Sequence, residues 1–207
     1  MNTNIYNRIR CKLINTEGNR ILIDNSPHKP YLDLSIVYYI DLGKEDGMLK
    51  TTHITYAMME VLGLTLEELH TIATRNLKAS KPRIEPMISQ MLQMVGLSGV
   101  FAEDDFTETE RSMFILSNAE KTNGAISILH RELLADFAQR QGTDLWLIPS
   151  SIHEFIIIPD SSGICPRELN KIIEEINRDE SLIRSYEVLS DHCYFFSKKT
   201  NSITSVA

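Results

Sequence analysis

Four side chains able to move a proton or grip a polar ligand fall within one short stretch, Ser150, Ser151, His153 and Glu154. A hydroxyl, an imidazole and a carboxylate in proximity are the parts of a Ser–His hydrolase, in which the imidazole takes the serine proton and the carboxylate orients the ring. The spacing is awkward for that chemistry. In an extended strand Ser151 and His153 lie two residues apart on one face with parallel side chains, although a turn could bring Ser150 round. No Gly-x-Ser-x-Gly elbow is present. The plainer reading is a hairpin turn whose serines satisfy exposed backbone groups while His153 packs at a strand start.

A second chemistry demands less geometry. Asn118, Ser150, Ser151, His153, Glu154 and Asp191 all fall at expected strand ends or turns, where a rigid scaffold concentrates function. Together they are candidates for a polar ligand pocket. Metal binding is a third possibility. None of His28, His53, His70, His130, His153 and His192 shows His-x-x-x-His or His-Glu-x-x-His spacing. Asp191-His192-Cys193 offers three ligand types in a row, but successive strand residues point to opposite faces. Only a fold joining them to His153 and Glu154 would complete a tetrahedral site. No metal and no cofactor is therefore expected. The dispersed glycines form neither Gly-x-Gly-x-x-Gly nor a Walker A loop, which argues against a nucleotide-dependent enzyme.

The elements that must carry these residues are legible around them. Leu145–Ile148 and Phe155–Ile158 are apolar, rich in β-branched and aromatic residues, and flank the break Pro149-Ser150-Ser151-Ile152. This pattern predicts a hairpin at the centre of a sheet. Arg8 to Ile14 alternates as a half-exposed strand does. Ile21-Leu22-Ile23 is strand or helix, and Ser26-Pro27-His28-Lys29-Pro30 is expected to break regular structure. Leu32 to Asp41 is a second strand, with Leu32, Leu34, Ile36, Tyr38 and Ile40 on one face. A turn over Gly43–Gly47 and a returning strand over Met48–Thr52 follow.

Helices come next. Ile54 to Leu62 ends at Gly63. Thr65 and Glu68 form a capping box for a helix whose apolar face is Leu69, Ile72, Ala73 and Leu77. Pro82 and Pro86 interrupt the chain, leaving residues 83–95 ambiguous, and Gly96 to Glu110 reads as an acidic surface loop. Met113–Leu116 is a short strand. Ser117-Asn118 and Asn123-Gly124 bracket a turn, Ala125–Leu129 is strand or helix, and His130–Gln141 is a helix closed by Gly142. Pro166 opens a last helix with the stripe Leu169, Ile172, Ile173 and Ile176. Glu187–Phe196 and Ile203–Val206 are final strands. The expected architecture is a single α+β domain over residues 1–207, a mostly antiparallel sheet with helices packed on one face.

Composition narrows the functions. The chain has 207 residues, 43% hydrophobic and 24% charged, with a formal net charge of −7. That balance disfavours nucleic acid, which needs clustered Lys and Arg. The one basic stretch, Arg75–Arg83, is short and has no interleaved aromatics. Cys11, Cys165 and Cys193 are far apart and odd in number, as in a reduced cytoplasmic protein. No apolar run approaches the roughly 20 residues of a membrane span, and no signal peptide is evident at Met1-Asn2-Thr3-Asn4. Met58, Met59, Met87, Met91 and Met94 could line a groove for a partner helix, although core filling is the commoner use.

Several stretches together resemble an uncharacterised bacterial family, found mainly in Firmicutes and known as a domain of unknown function. They are Arg8-Ile9 with Lys12-Leu13-Ile14-Asn15, Pro27-His28 with Pro30-Tyr31-Leu32-Asp33-Leu34, and Val37-Tyr38-Tyr39. Further on come Leu66-Glu67-Glu68-Leu69 with Ala73 and Asn76, Met113 with Leu116-Ser117-Asn118, Gly124-Ala125, Pro149-Ser150-Ser151-Ile152-His153-Glu154, and Glu187-Val188-Leu189-Ser190-Asp191. The block at 149–154 is the most specific. Relatives often carry extra residues ahead of the first segment, which leaves open whether a helical part precedes it. The resemblance implies a single cytoplasmic bacterial domain and brings no activity or catalytic residue. The resulting expectation is a non-catalytic binding domain for a protein partner or a small polar ligand, with a hydrolase centred on Ser151, His153 and Glu154 as the alternative.

Overall fold

The computed structural model describes residues 3–101, 105–160, 163 and 165–206. Glu103 and Asp104 of the expected acidic loop lie outside these. The chain divides into two compact units, residues 1–81 and 82–207. Each is built on its own antiparallel sheet, so the fold class is α+β, as the sequence predicts.

The first unit runs α1 (Thr3–Tyr6), β1 (Ile9–Asn15), α2 (Arg20–Asn25), β2 (His28–Tyr31), β3 (Leu34–Glu45), β4 (Met48–His53), α3 (Tyr56–Leu62) and α4 (Leu66–Leu77). β3 is central, with β1 on one side and β2 then β4 along the other. The Pro-rich stretch expected to break structure is in part the strand β2. Pro30 is tolerated because β2 is an edge, where a missing N–H costs no ladder bond. Leu32, expected to start β3, instead sits in the two-residue turn before it with φ 57°. β3 also outruns its expected end. Gly43 lies within it after a bulge, and the turn shrinks to Asp46-Gly47, whose φ values of 51° and 80° suit an Asp-Gly hairpin.

Every residue of β3 from Leu34 to Ile40 is buried, including Ser35, Val37 and Tyr39 of the alternate face. Helices explain this. Ile23 and Leu22 of α2 pack on Ile14 and Val37, while α4 lies against β1 and β3. The capping box at Thr65 and Glu68 forms as the sequence predicts, and Leu69, Ala73 and Leu77 are the buried side of α4.

On the α4 side, Tyr38 Oη and His70 Nδ1 are 2.8 Å apart. Burial pushes the phenol pKa up, so Tyr38 donates and His70 accepts on Nδ1. Burial, then the Lys29 charge, holds the His70 pKa below its ordinary 6.5, against an opposing pull from Glu67. His53 is lowered as well, by burial and then by Lys12. Both rings are therefore neutral in the fold at pH values where the unfolded chain already binds a proton. Stability is full above 6.5 and falls as pH drops through that value toward the folded pKa values. The urea midpoint should accordingly be lower at about pH 5.5 than at about pH 7.5, and His70→Gln should flatten that dependence.

The second unit runs β5 (Arg83–Pro86), α5 (Met87–Met94), α6 (Glu108–Arg111), β6 (Phe114–Ser117), a 3₁₀ helix over Gly124–Leu129, α7 (Arg131–Gln141), β7 (Leu145–Ser151), β8 (Glu154–Pro159), α8 (Pro166–Arg178), β9 (Cys193–Ser197) and β10 (Ser202–Val206). The strand order is β10-β9-β7-β8-β6-β5, so the hairpin β7–β8 is central, as predicted. Its turn is narrower than the sequence suggests. Pro149 stays paired with Phe155, the register shifts between Pro149 and Ser151, and only Ile152-His153 turns. The shift leaves Ser150 as the extra residue of a bulge, the setting in which a central strand accommodates proline.

α8 lays Leu169 and Ile173 on Trp146, Ile158 and Cys193. Its stripe is narrower than predicted, because Ile172 and Ile176 are exposed. The Trp146 indole donates to Asp160 at 2.6 Å. Helical cover is found on the other face too, where Phe137 of α7 meets Phe114 edge-on and the 3₁₀ helix buries Ala125, Ile126 and Ile128. The expected strand from Glu187 is confined to Cys193–Ser197, and residues 185–187 form a 3₁₀ turn instead.

Candidate functional site

Three separate stretches of the second unit converge on the turn at His153. From the end of β6, the Ser117 hydroxyl donates to the His153 carbonyl at 2.8 Å. From the start of the 3₁₀ helix, the Ala125 N–H donates to the Ile152 carbonyl at 3.2 Å. From the turn at 185–187, the Glu187 carbonyl accepts from the Ile152 N–H at 2.9 Å. The turn backbone, which a hairpin tip would ordinarily leave to water, is thereby tied to all three stretches.

The His153 ring is tied in as well. Its Nδ1 accepts the Asn123 backbone N–H at 3.0 Å, so its hydrogen sits on Nε2, 3.5 Å from Glu187 Oε1. An imidazole held by a carboxylate is half of a general-base arrangement. The other half would be a hydroxyl on the second nitrogen, and that nitrogen is occupied by a backbone amide. Ser151 Oγ accepts the His153 backbone N–H at 3.0 Å, closing a local turn. Ser150 Oγ reaches Glu154 Oε1 only at 3.5 Å.

The remaining candidates are engaged elsewhere. Asn118 is buried and spends its amide on its own loop. Its oxygen accepts from the Glu120 and Thr122 N–H groups at 3.1 and 3.3 Å, and its nitrogen donates to the Thr122 carbonyl at 2.8 Å. Asp191 accepts from Asn177 of α8 at 2.8 Å. His192 bonds Ser205 at 2.7 Å, and the Cys193 thiol is buried with its pKa raised by desolvation. Among the described residues, no group of three or more His, Cys, Asp or Glu side chains is placed to share a metal ion.

Four participants escape a sequence reading of the turn: Ser117, Asn123, Gly124 and Glu187. Gly124 is the most constrained. A Cβ there would lie 2.2 Å from Ser117 Oγ, 2.5 Å from the His153 carbonyl and 2.8 Å from the Asn118 nitrogen. The position demands glycine through close approach rather than through an unusual φ. Asn123-Gly124 announces a turn, but nothing local announces that another strand's carbonyl will press against it.

The second unit also carries an apolar surface. Beside α5, a cleft of about 490 Å³ is lined by Pro86, Ile88, Leu92, Phe101, Phe106 and Phe114 among others. A neighbouring cleft of about 200 Å³ is lined by Met87, Ile88, Met91, Leu92, Val95, Phe106 and Met113. Around them Met91, Met94, Val95, Leu97, Val100 and Phe101 are exposed. The methionines of α5 are thus only partly core filling.

The chain belongs to DUF5688, a family of unknown function whose model matches residues 2–198. No curated protein and no solved structure gives a significant match.

Proposed function

We propose that this DUF5688 member is a non-catalytic binding domain that docks a cationic, amphipathic segment of a protein partner on the α5 face. The observation that carries this reading is the run of exposed apolar side chains from Met91 to Phe101 beside two clefts. Scattered surface apolar residues are ordinary, whereas a contiguous group beside a concave site marks an interaction surface. Methionine suits such a face because its flexible thioether adapts to differing partners. The sign of the partner's charge follows from the chain's net charge of −7 and from the exposed Asp105 and Glu108, which neighbour the lining Phe106 in sequence; this acidity outweighs the lining cation Arg111. The closed hydrogen bonding at His153 supports binding over hydrolysis, since both ring nitrogens already have partners. Three unpaired cysteines fit a cytoplasmic setting.

The test uses a synthetic Leu/Lys amphipathic helix as probe, with its Leu/Glu counterpart as control. The Leu/Lys peptide should bind saturably and more weakly as salt rises. Met94→Lys, a change at a site 82% exposed that removes apolar contact and adds a repelling charge, should weaken binding by roughly ten-fold while leaving the melting temperature unchanged. Equal binding of both peptides would contradict the charge assignment. A concentration-dependent dimer lost in Met94→Lys would contradict a foreign partner by assigning the face to a second copy.

A further inference from the structure

The first unit holds a cleft, lined by none of the residues of the α5 face, on the same side of its sheet as a partly buried lysine. Its position follows from sheet register. Lys12 of β1 pairs with Val37 of β3, and His28 of β2 pairs with the same Val37 from the other side. Tyr39, two residues on, pairs with His53 of β4. Paired residues and residues two apart share a face, so Lys12, His28 and His53 project from the same side of the sheet. That side is the one α2 covers, because Ile23 packs on Ile14 and Val37 there. Between α2 and the end of β4 lies a cleft of about 680 Å³, lined by Arg20, Ile21, Leu22, Asn25, Ser26, His53 and Thr55 among others.

Three groups around this cleft are in unfavourable states as they stand. Ser26 is 1% exposed and its hydroxyl has no hydrogen-bond partner. His53 Nδ1 is buried and equally without one. Buried polar atoms are nearly always paired, and an exception points to a water, an ion or a ligand that belongs there. Lys12 is the third. Its ammonium is partly buried, and burial lowers its pKa with no carboxylate among the described residues opposing the shift. It is nevertheless close enough to His53 to depress that ring. A half-buried cation without a counter-ion is costly, and an anion brought alongside removes much of that cost. Of the residues that line the cleft itself, the two charged ones, Arg20 and Glu17, pair with each other and add no net charge; Lys12 reaches it from the neighbouring strand β1.

We propose that this cleft binds a carboxylate monoanion with a short aliphatic tail. The carboxylate accepts hydrogen bonds from Ser26 Oγ and from His53 in its Nδ1–H form, and Lys12 supplies the single compensating charge. One unpaired ammonium balances one negative charge, which favours a carboxylate over a phosphate dianion. Ile21 and Leu22 of the lining give the tail apolar contact. Every group involved lies within residues 1–81.

The experiment follows the imidazole resonances of the intact chain by NMR while hexanoate, inorganic phosphate or hexylamine is added. Hexanoate should shift the His53 signals saturably and raise the melting temperature, as any ligand of the folded state does. Lys12→Met and Ser26→Ala should each weaken that response by roughly ten-fold. Lys12→Met removes an uncompensated charge, so the variant should fold at least as well as the parent, and Ser26→Ala serves as the second variant. A phosphate response equal to or stronger than that of hexanoate would overturn the monoanion assignment. An equal response to hexylamine would overturn the role of Lys12, and no His53 response to hexanoate would overturn the site.

Discussion

Gly124→Ala should destabilise the protein by about 3 kcal/mol or more, the upper range for forcing atoms into a packed interior. The added methyl would meet the Ser117 hydroxyl at 2.2 Å, the His153 carbonyl at 2.5 Å and the Asn118 nitrogen at 2.8 Å. The serine hydroxyl can swing away only by giving up its bond to His153. The other two atoms are backbone, so relief requires that the loop and the hairpin turn separate. Separation in turn breaks the Ala125–Ile152 bond. Urea unfolding measures the loss. Gly18→Ala is the matched control, since its methyl meets only the Asn15 side chain, at 3.3 Å, and should change stability by about 1 kcal/mol or less. Equal stability of the two variants would mean that the three stretches do not lock together as described.

His153→Ala should cost about 2–4 kcal/mol, the sum of two unsatisfied groups. The Asn123 N–H loses its acceptor and the half-buried Glu187 carboxylate loses its partner. His153→Ala with Glu187→Ala should cost less than the two single changes added together, because each single change strands a group that the double change removes. His153→Asn should recover part of the loss, as its oxygen can accept the Asn123 N–H. A catalytic histidine would behave in the opposite way. Active sites are commonly strained, and replacing their polar groups tends to leave stability unchanged or improved.

These effects explain why the Pro-Ser-Ser-Ile-His-Glu block stands out in the sequence without disclosing a reaction. Its serines, histidine and glutamate resemble catalytic parts, and the hairpin around them follows from the β-branched runs on either side. The serines and Glu154 bond within the turn, whereas the partners of the His153 ring are Asn123, about thirty residues earlier, and Glu187, about thirty later. Side-chain type and local spacing do not encode which distant loop will meet a turn. The same limit explains the edges of the fold. The capping box at Thr65 and Glu68 is read correctly because it is local. The strand β2 is missed because Pro27, just before it, and Pro30, within it, together signal a break unless the neighbouring strand is known to leave Pro30 on an edge. Alternation in β3 predicts one buried face, whereas both are buried, since the sequence of β3 alone does not reveal that α2 covers the second.

The exposed apolar face of α5 was only partly legible. Met87, Met91 and Met94 fall at helical spacing, which serves a core and a docking groove equally well. Their exposure decides between these uses, and exposure depends on what residues 96–101 cover. Leu97, Val100 and Phe101 of that stretch are themselves exposed, so the face is extended rather than closed by it.

The most direct test of the binding account maps backbone amide shifts while the Leu/Lys amphipathic peptide is titrated into the protein. The account predicts shifts concentrated in residues 87–101 and 106–114, the stretches that line and border the clefts beside α5, with the amides of Asn123, Ile152, His153 and Glu187 unmoved. Shifts centred on those four residues and Ser150, with α5 silent, would contradict it and return the hydroxyl, imidazole and carboxylate of the hairpin turn to the centre of the protein's function.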